Sequence, residues 1–132
     1  MNKSYFRIAA LYLLLGVIMG IVMAASEDFT LRPVHAHINL LGWVSLALFG
    51  VFYTVYPHAA ATKVARVQFW GYTVALPLQM VALALFITGH PAVTPLLGIS
   101  SVVIALAVVC FVINVWRYAA VPQQGRLEGV GP

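Results

Sequence analysis

The sequence predicts an all-α protein: an integral membrane four-helix bundle, antiparallel and up-down, in one domain over residues 1–132. Three observations carry this expectation. Hydrophobic residues make up 63% of the chain and charged residues 8%, far below the roughly one-quarter charged content of a soluble domain. A soluble fold of this length has too little interior to hide so much apolar surface. The apolar residues are also gathered into four runs, each close to the ~20 residues that carry a helix across the hydrocarbon core.

The first run covers 5–25, behind Lys3 and Arg7. Ala9, Gly16, Gly20 and Ala24 recur along one face, a small-residue seam suited to close helix contact. The same run, ending in Val22-Met23-Ala24-Ala25-Ser26, has the outline of a cleavable signal peptide, but its apolar stretch is long for one, and a retained helix is expected. Ser26-Glu27-Asp28 and Arg32-Pro33 interrupt the chain before the second run, 34–56. Pro33 suits the first turn, where its missing N–H costs nothing. Pro57-His58 through Lys63 leads to the third run, 67–88, which contains Pro77; Gly89-His90-Pro91 leads to the fourth, 93–116.

Loop charge sets the expected orientation. Lys3, Arg7, Lys63, Arg66, Arg117 and Arg126 fall on one side of a four-pass topology, whereas Glu27, Asp28, Arg32 and His90 fall on the other. The positive-inside rule then puts both termini in the cytoplasm. Tyr5, Phe6, Trp70, Tyr72, Trp116 and Tyr118 stand near the run boundaries, as an interfacial aromatic belt would; Trp43 lies deeper. The expected location is a bacterial inner (cytoplasmic) membrane, as a multi-pass protein among lipid.

The net charge of +4 comes from single Lys and Arg residues between apolar runs. No basic cluster follows a phosphate backbone, so nucleic acid is not an expected partner. No set of acidic residues faces the interior to support an ion-coupled transporter, and neither a Ser–His–Asp arrangement nor a phosphate-binding loop is present. Cys110 stands alone inside an apolar run and reads as a packing residue.

Chemistry is concentrated where the second run opens, at Arg32-Pro33-Val34-His35-Ala36-His37-Ile38-Asn39-Leu40-Leu41-Gly42-Trp43. Residues two apart on a helix point about 200° apart, so His35 and His37 cannot grip one ion while the segment stays helical. His35 shares a stripe with Asn39, Gly42, Leu46, Gly50 and Tyr53, a face made for the bundle interior, with room for a flat group or a close helix. His37 heads a stripe of Leu41, Val44, Leu48, Val51 and Val55, pure hydrocarbon, which is the face expected to meet lipid or another copy of the chain. His90 closes the third run on the same side. On a regular helix it shares a stripe with Phe86, Leu83, Gln79 and Tyr72. His35, His37 and His90 are thus expected at one depth, and His58 at the other side, exposed.

Imidazole suits haem iron, zinc, copper and nickel, and bundle cores house such groups. The leading expectation is a b-type haem protein for electron transfer or diatomic gas binding. His35 is one axial ligand, with His90, or His37 of a second subunit, as the other. The porphyrin rests against Asn39, Gly42 and the small seam of the first helix, with Trp43 and Phe49 at its edge, and Arg32 pairs with a propionate. The alternatives are a copper or zinc site built from His35, His37 and His90 with Glu27 or Asp28, in an accessory or assembly factor for an oxidase, and a cofactor-free structural subunit. Gln79, Ser100, Ser101 and Asn114 fit the last, as hydrogen-bonding groups between helices. A homo-oligomer is expected, with a respiratory-chain redox partner if the haem reading holds.

Arg32-Pro33-Val34-His35, followed by an apolar helix ending in Phe52-Tyr53-Thr54-Val55-Tyr56-Pro57, resembles the second helix of the haem–copper oxidase catalytic subunit, most closely its cbb3-type oxidase and nitric oxide reductase branch. The resemblance covers the first two helices. It implies that His35 ligates a low-spin haem b at the outer side of the membrane. His35-Ala36-His37 also looks like the paired histidines of that family's tenth helix, although the residues around it fit the second better. The family's copper-ligand helix, cross-linked tyrosine and high-spin haem pocket have no counterpart here.

Overall fold

A computed structural model describes residues 2–119, and among them four rods are long and apolar enough to cross a membrane: Lys3–Ser26, Arg32–Val55, Lys63–Ile87 and Pro91–Tyr118. The first is a single helix, α1 (Asn2–Ser26). The second is built from three pieces: α2 (Arg32–His37), a π-helical stretch over Ile38–Ser45, and α3 (Leu46–Val55). A short helix, α4 (Pro57–Ala60), turns the chain into α5 (Lys63–Ile87); a 3-10 turn (Pro91–Val93) leads into α6 (Thr94–Tyr118). No strand occurs among the described residues. All four expected helical runs are present, and the third begins four residues earlier than its apolar run, because Thr62 caps it by accepting the Ala65 N–H at 3.0 Å.

The rods run up and down. Tyr5, at the start of α1, stacks on Tyr53, near the end of α3, with ring centroids 5.8 Å apart. Asn114, near the end of α6, also reaches Tyr53. Lys3, Arg7, Lys63, Arg66 and Arg117 therefore share what we term the basic end, and Glu27, Asp28, Arg32, His35, His37 and His90 the far end. Arg126 lies outside the described residues. The tightest pairings are α1 against the second rod and α5 against α6, giving two antiparallel hairpins laid side by side.

The π stretch answers a sequence problem. Val34, Ile38, Gly42 and Leu46 all turn toward the interior in steps of four, and each such step overshoots an α-helical turn by about 40°. The wider turns absorb the drift and keep one line of residues facing α1. Side-chain hydroxyls reach the carbonyls of this stretch: Ser45 Oγ donates to Leu40 O at 2.8 Å and Tyr72 OH to Leu41 O at 3.1 Å. In an apolar medium such carbonyls need partners. By contrast Pro77 leaves the phase of α5 intact, since Tyr72, Leu76, Gln79, Met80 and Leu83 keep facing inward across it.

The core sits mainly toward the basic end and is aromatic. Tyr5, Phe49, Tyr53, Phe69, Tyr72 and Phe111 form an edge-to-face and stacked cluster drawn from all four rods, the geometry aromatic quadrupoles favour. Tyr5 and Tyr72 are fully buried here rather than in the expected interfacial belt. Their hydroxyls find partners inside the bundle, which removes the reason to seek the headgroups. Trp70 and Trp116 are 61% and 82% exposed, on the outer surface of the bundle.

Candidate functional site

The far end opens with a loop that Glu27 enters at φ 55. Asp28 accepts the Thr30 N–H at 2.9 Å, and the Thr30 hydrogen bonds hold its carboxyl below the usual range. Arg32 lies over the Phe29 ring at 5.2 Å, a cation–π contact, and is exposed. Pro33 follows in the first turn, and the two histidines come next.

His35 is half-buried and faces α1 as its stripe predicts. A Cβ on Gly20 would stand 3.1 Å from its Cε1, so the imidazole rests directly on the α1 backbone. Asn39 Nδ2 donates to the His35 carbonyl at 2.9 Å and lies 3.5 and 3.4 Å from the two ring nitrogens. Near-equal spacing at that length is the outer limit of hydrogen bonding. Neither ring nitrogen is held by a short, directed bond.

The stripe below His35 is interior throughout: Gly42, Leu46, Gly50 and Tyr53 are buried. It meets α1 residue for residue. A Cβ on Gly16 would come within 2.5 Å of Asn39 Oδ1, one on Gly42 within 2.5 Å of Tyr12 Cγ, and one on Gly50 within 3.1 Å of Tyr5 Cβ. Of the small seam expected on α1, Ala9, Gly16 and Gly20 take part; Ala24 is exposed and Met23 is buried instead. The seam serves a close helix, not a flat group.

This decides part of the haem question. The donor chemistry fits, because His35 is a half-buried imidazole with an uncommitted lone pair. The pose between α1 and the second rod does not fit: Asn39, His35 and Tyr12 already occupy the space left by the glycines. Phe49 also drops out as a porphyrin neighbour. It lies fourteen residues beyond His35, about 21 Å along a helix, and packs on Tyr72 and Phe111. Trp43 is half-buried against the core.

His37 is placed differently. Its Nδ1 lies 2.7 Å from Pro33 O. A carbonyl can only accept, so Nδ1 carries the proton and Nε2 is left as the acceptor edge. His90 is exposed, with Nδ1 3.4 Å from Thr88 Oγ1, and His58 is exposed at the basic end. His35, His37 and His90 share the far end but not a site. Among the described residues no group of three or more His, Cys, Asp or Glu could hold a metal ion. The expected three-histidine set with Glu27 or Asp28 is therefore not assembled within one chain. Its members stand on different faces of α2 and beyond the end of α5.

The other polar groups tie helices together. Tyr5 OH donates to Gln68 Oε1 at 2.7 Å, Asn114 Nδ2 to Tyr53 OH at 2.9 Å, and Gln79 Nε2 to Ser101 Oγ at 2.9 Å. Ser100 instead bonds its own helix, at Leu96 O and Leu97 O. Cys110 is a half-buried free thiol. Gln68 escaped the sequence reading. Its signal was an amide standing alone in an apolar run, between Val67 and Phe69.

No family model matches the chain, and neither do any curated protein or solved structure.

Proposed function

We propose that the chain is a multi-pass protein of a bacterial cytoplasmic membrane, with its basic end in the cytoplasm, and that it binds haem b through His35. The observation that carries this reading is the His35 imidazole itself: half-buried at one end of an apolar bundle, set against Gly20, with neither ring nitrogen committed to a short bond. A half-buried imidazole whose nitrogens make only long contacts keeps a lone pair that a ligand can take. Since the seam on α1 is filled, the haem is assigned to the half-exposed flank of His35. Arg32, exposed at the same rim over the Phe29 ring, carries a guanidinium that suits a propionate. Bound haem would supply one-electron transfer or diatomic gas binding. The likeness of Arg32-Pro33-Val34-His35 to the oxidase second helix points the same way.

A second reading, a cofactor-free subunit, is favoured by one specific feature, the filling of the α1 seam by the chain's own side chains. Absorption spectra of the detergent-purified protein, oxidised and dithionite-reduced, separate the two. The haem reading expects a Soret band with sharp reduced α and β bands, lost in His35→Ala. A protein that stays colourless after incubation with haem ends it.

A further inference from the structure

We propose that the outer flank of α5 at the basic end holds one anionic phospholipid, its phosphate bound by Lys63 and Arg66 and an ester carbonyl by the Trp70 indole N–H. The proposal rests on the reading of the rods as membrane spans and not on haem.

Charge is the first observation. Lys63 and Arg66 are exposed, and their side chains make no ion pair among the described residues. The described carboxylates, Glu27 and Asp28, both stand at the far end. The described chain therefore supplies no counter-ion for this pair, and an anionic headgroup is its complement. The helix start itself plays no part, since the Thr62 side chain caps it. The second observation is the indole. Trp70 sets its ring edge-on to Phe69, with centroids 5.4 Å apart at 80°, and its N–H has no hydrogen-bond partner among the described residues. A donor in apolar surroundings needs an acceptor, and indoles find theirs at the headgroup boundary.

The three donors are ordered as one phospholipid is. At 100° per residue, Lys63, Trp70, Val74 and Val81 fall within about 40° of one line along α5, with Arg66 about 60° to one side. Val74 and Val81 are exposed. The 25 residues of α5 span about 37 Å. That exceeds the ~30 Å hydrocarbon core, so the ends of α5 enter the headgroup layers. Lys63 stands in such a layer, Arg66 about 4.5 Å deeper and Trp70 about 10 Å deeper. Phosphate, ester and acyl chain follow in the same order, and the acyl chains run along Val74 and Val81. Nowhere else among the described residues do two cations and an indole share a helix face. Lys3 and Arg7 have no tryptophan beside them on α1, and on α6 Arg117 stands about 100° round from Trp116.

The test uses the full chain in a neutral detergent, titrated with dioleoyl-phosphatidylglycerol or dioleoyl-phosphatidylcholine and read by native mass spectrometry. One phosphatidylglycerol per chain is expected to stay bound in preference to phosphatidylcholine, whose trimethylammonium the two cations repel. Lys63→Gln combined with Arg66→Gln should weaken its retention roughly thirtyfold, about fivefold for each cation. Lys3→Gln combined with Arg7→Gln should leave it unchanged. Trp70→Phe keeps both charges and should lower the retention of both lipids, since both carry ester carbonyls. Inorganic phosphate, which lacks the chains, should not displace the lipid. An unchanged helical circular-dichroism signal identifies the folded variants. Equal retention of the two lipids, displacement by phosphate, or equal weakening by the Lys3 and Arg7 substitutions each overturns the lipid site. Release of the chain from membranes by alkaline carbonate overturns the membrane reading beneath it.

Discussion

The two ends of the bundle are held together in different ways. Toward the basic end, rings from all four rods interlock, and Tyr5–Gln68 and Tyr53–Asn114 bridge different rods within this cluster. Toward the far end the hairpin of α1 and the second rod closes on glycines, and the polar groups there turn back on their own helix: Asn39 to the His35 carbonyl, His37 to the Pro33 carbonyl. One end spends its polar atoms on cohesion. The other leaves imidazole nitrogens without short bonds to a neighbouring rod. The Gln79–Ser101 bond within the α5–α6 hairpin and the Tyr72–Leu41 bond near mid-bundle are exceptions.

The contrast can be broken most forcefully at Phe49. Its ring meets Tyr5, Tyr72 and Phe111 at once, so Phe49→Ala should cost about 3–5 kcal/mol, measured as unfolding free energy in mixed micelles. A loss under about 1 kcal/mol would show that the aromatic cluster is not the keystone of the basic end. Next in size is Gly42→Ala. The new methyl meets Tyr12 at Cβ and Cγ, the root of the side chain rather than its movable tip, and overpacking of this kind costs about 1–3 kcal/mol. The same assay on Gly16→Ala, whose methyl meets the terminal amide of Asn39, should give the smaller loss of the pair; the reverse order would mean that Asn39, not Tyr12, is the rigid element. The smallest effect is expected from Tyr5→Phe. It removes the one side-chain hydrogen-bond partner that Gln68 has among the described residues, and the Gln68 Nε2 is already buried without one. Interhelical hydrogen bonds in membranes average about 0.6 kcal/mol, and a destabilisation of that order, to about 1 kcal/mol, is expected.

The four rods and their turns were legible because hydropathy and loop punctuation report on solvent, and solvent decides helix number here. The interior stripe of His35, Asn39, Gly42, Leu46, Gly50 and Tyr53 was legible for a similar reason, since small and polar residues on one helical face mark the side that meets protein. What that face meets was not legible. Glycine beside histidine is equally good for a porphyrin and for a neighbouring backbone, and only the position of α1 separates them. Tyr5 and Tyr72 misled because a tyrosine near a span boundary looks alike whether its hydroxyl faces lipid headgroups or a glutamine sixty-three residues away. The π stretch left one trace, the inward steps of four from Val34 to Leu46, which an α-helical ruler blurs.

That stretch also sets the facing of the second rod, because widened turns hold about one residue more than the same arc of α-helix. Deleting one codon within 38–45 would restore ordinary winding and turn Arg32–His37 by about 100°. His35 would swing off Gly20, while α3 kept its grip on Tyr5. The reading frame of this one rod thus sets which way the histidines look, and a change in length there acts on them more directly than most changes in residue type.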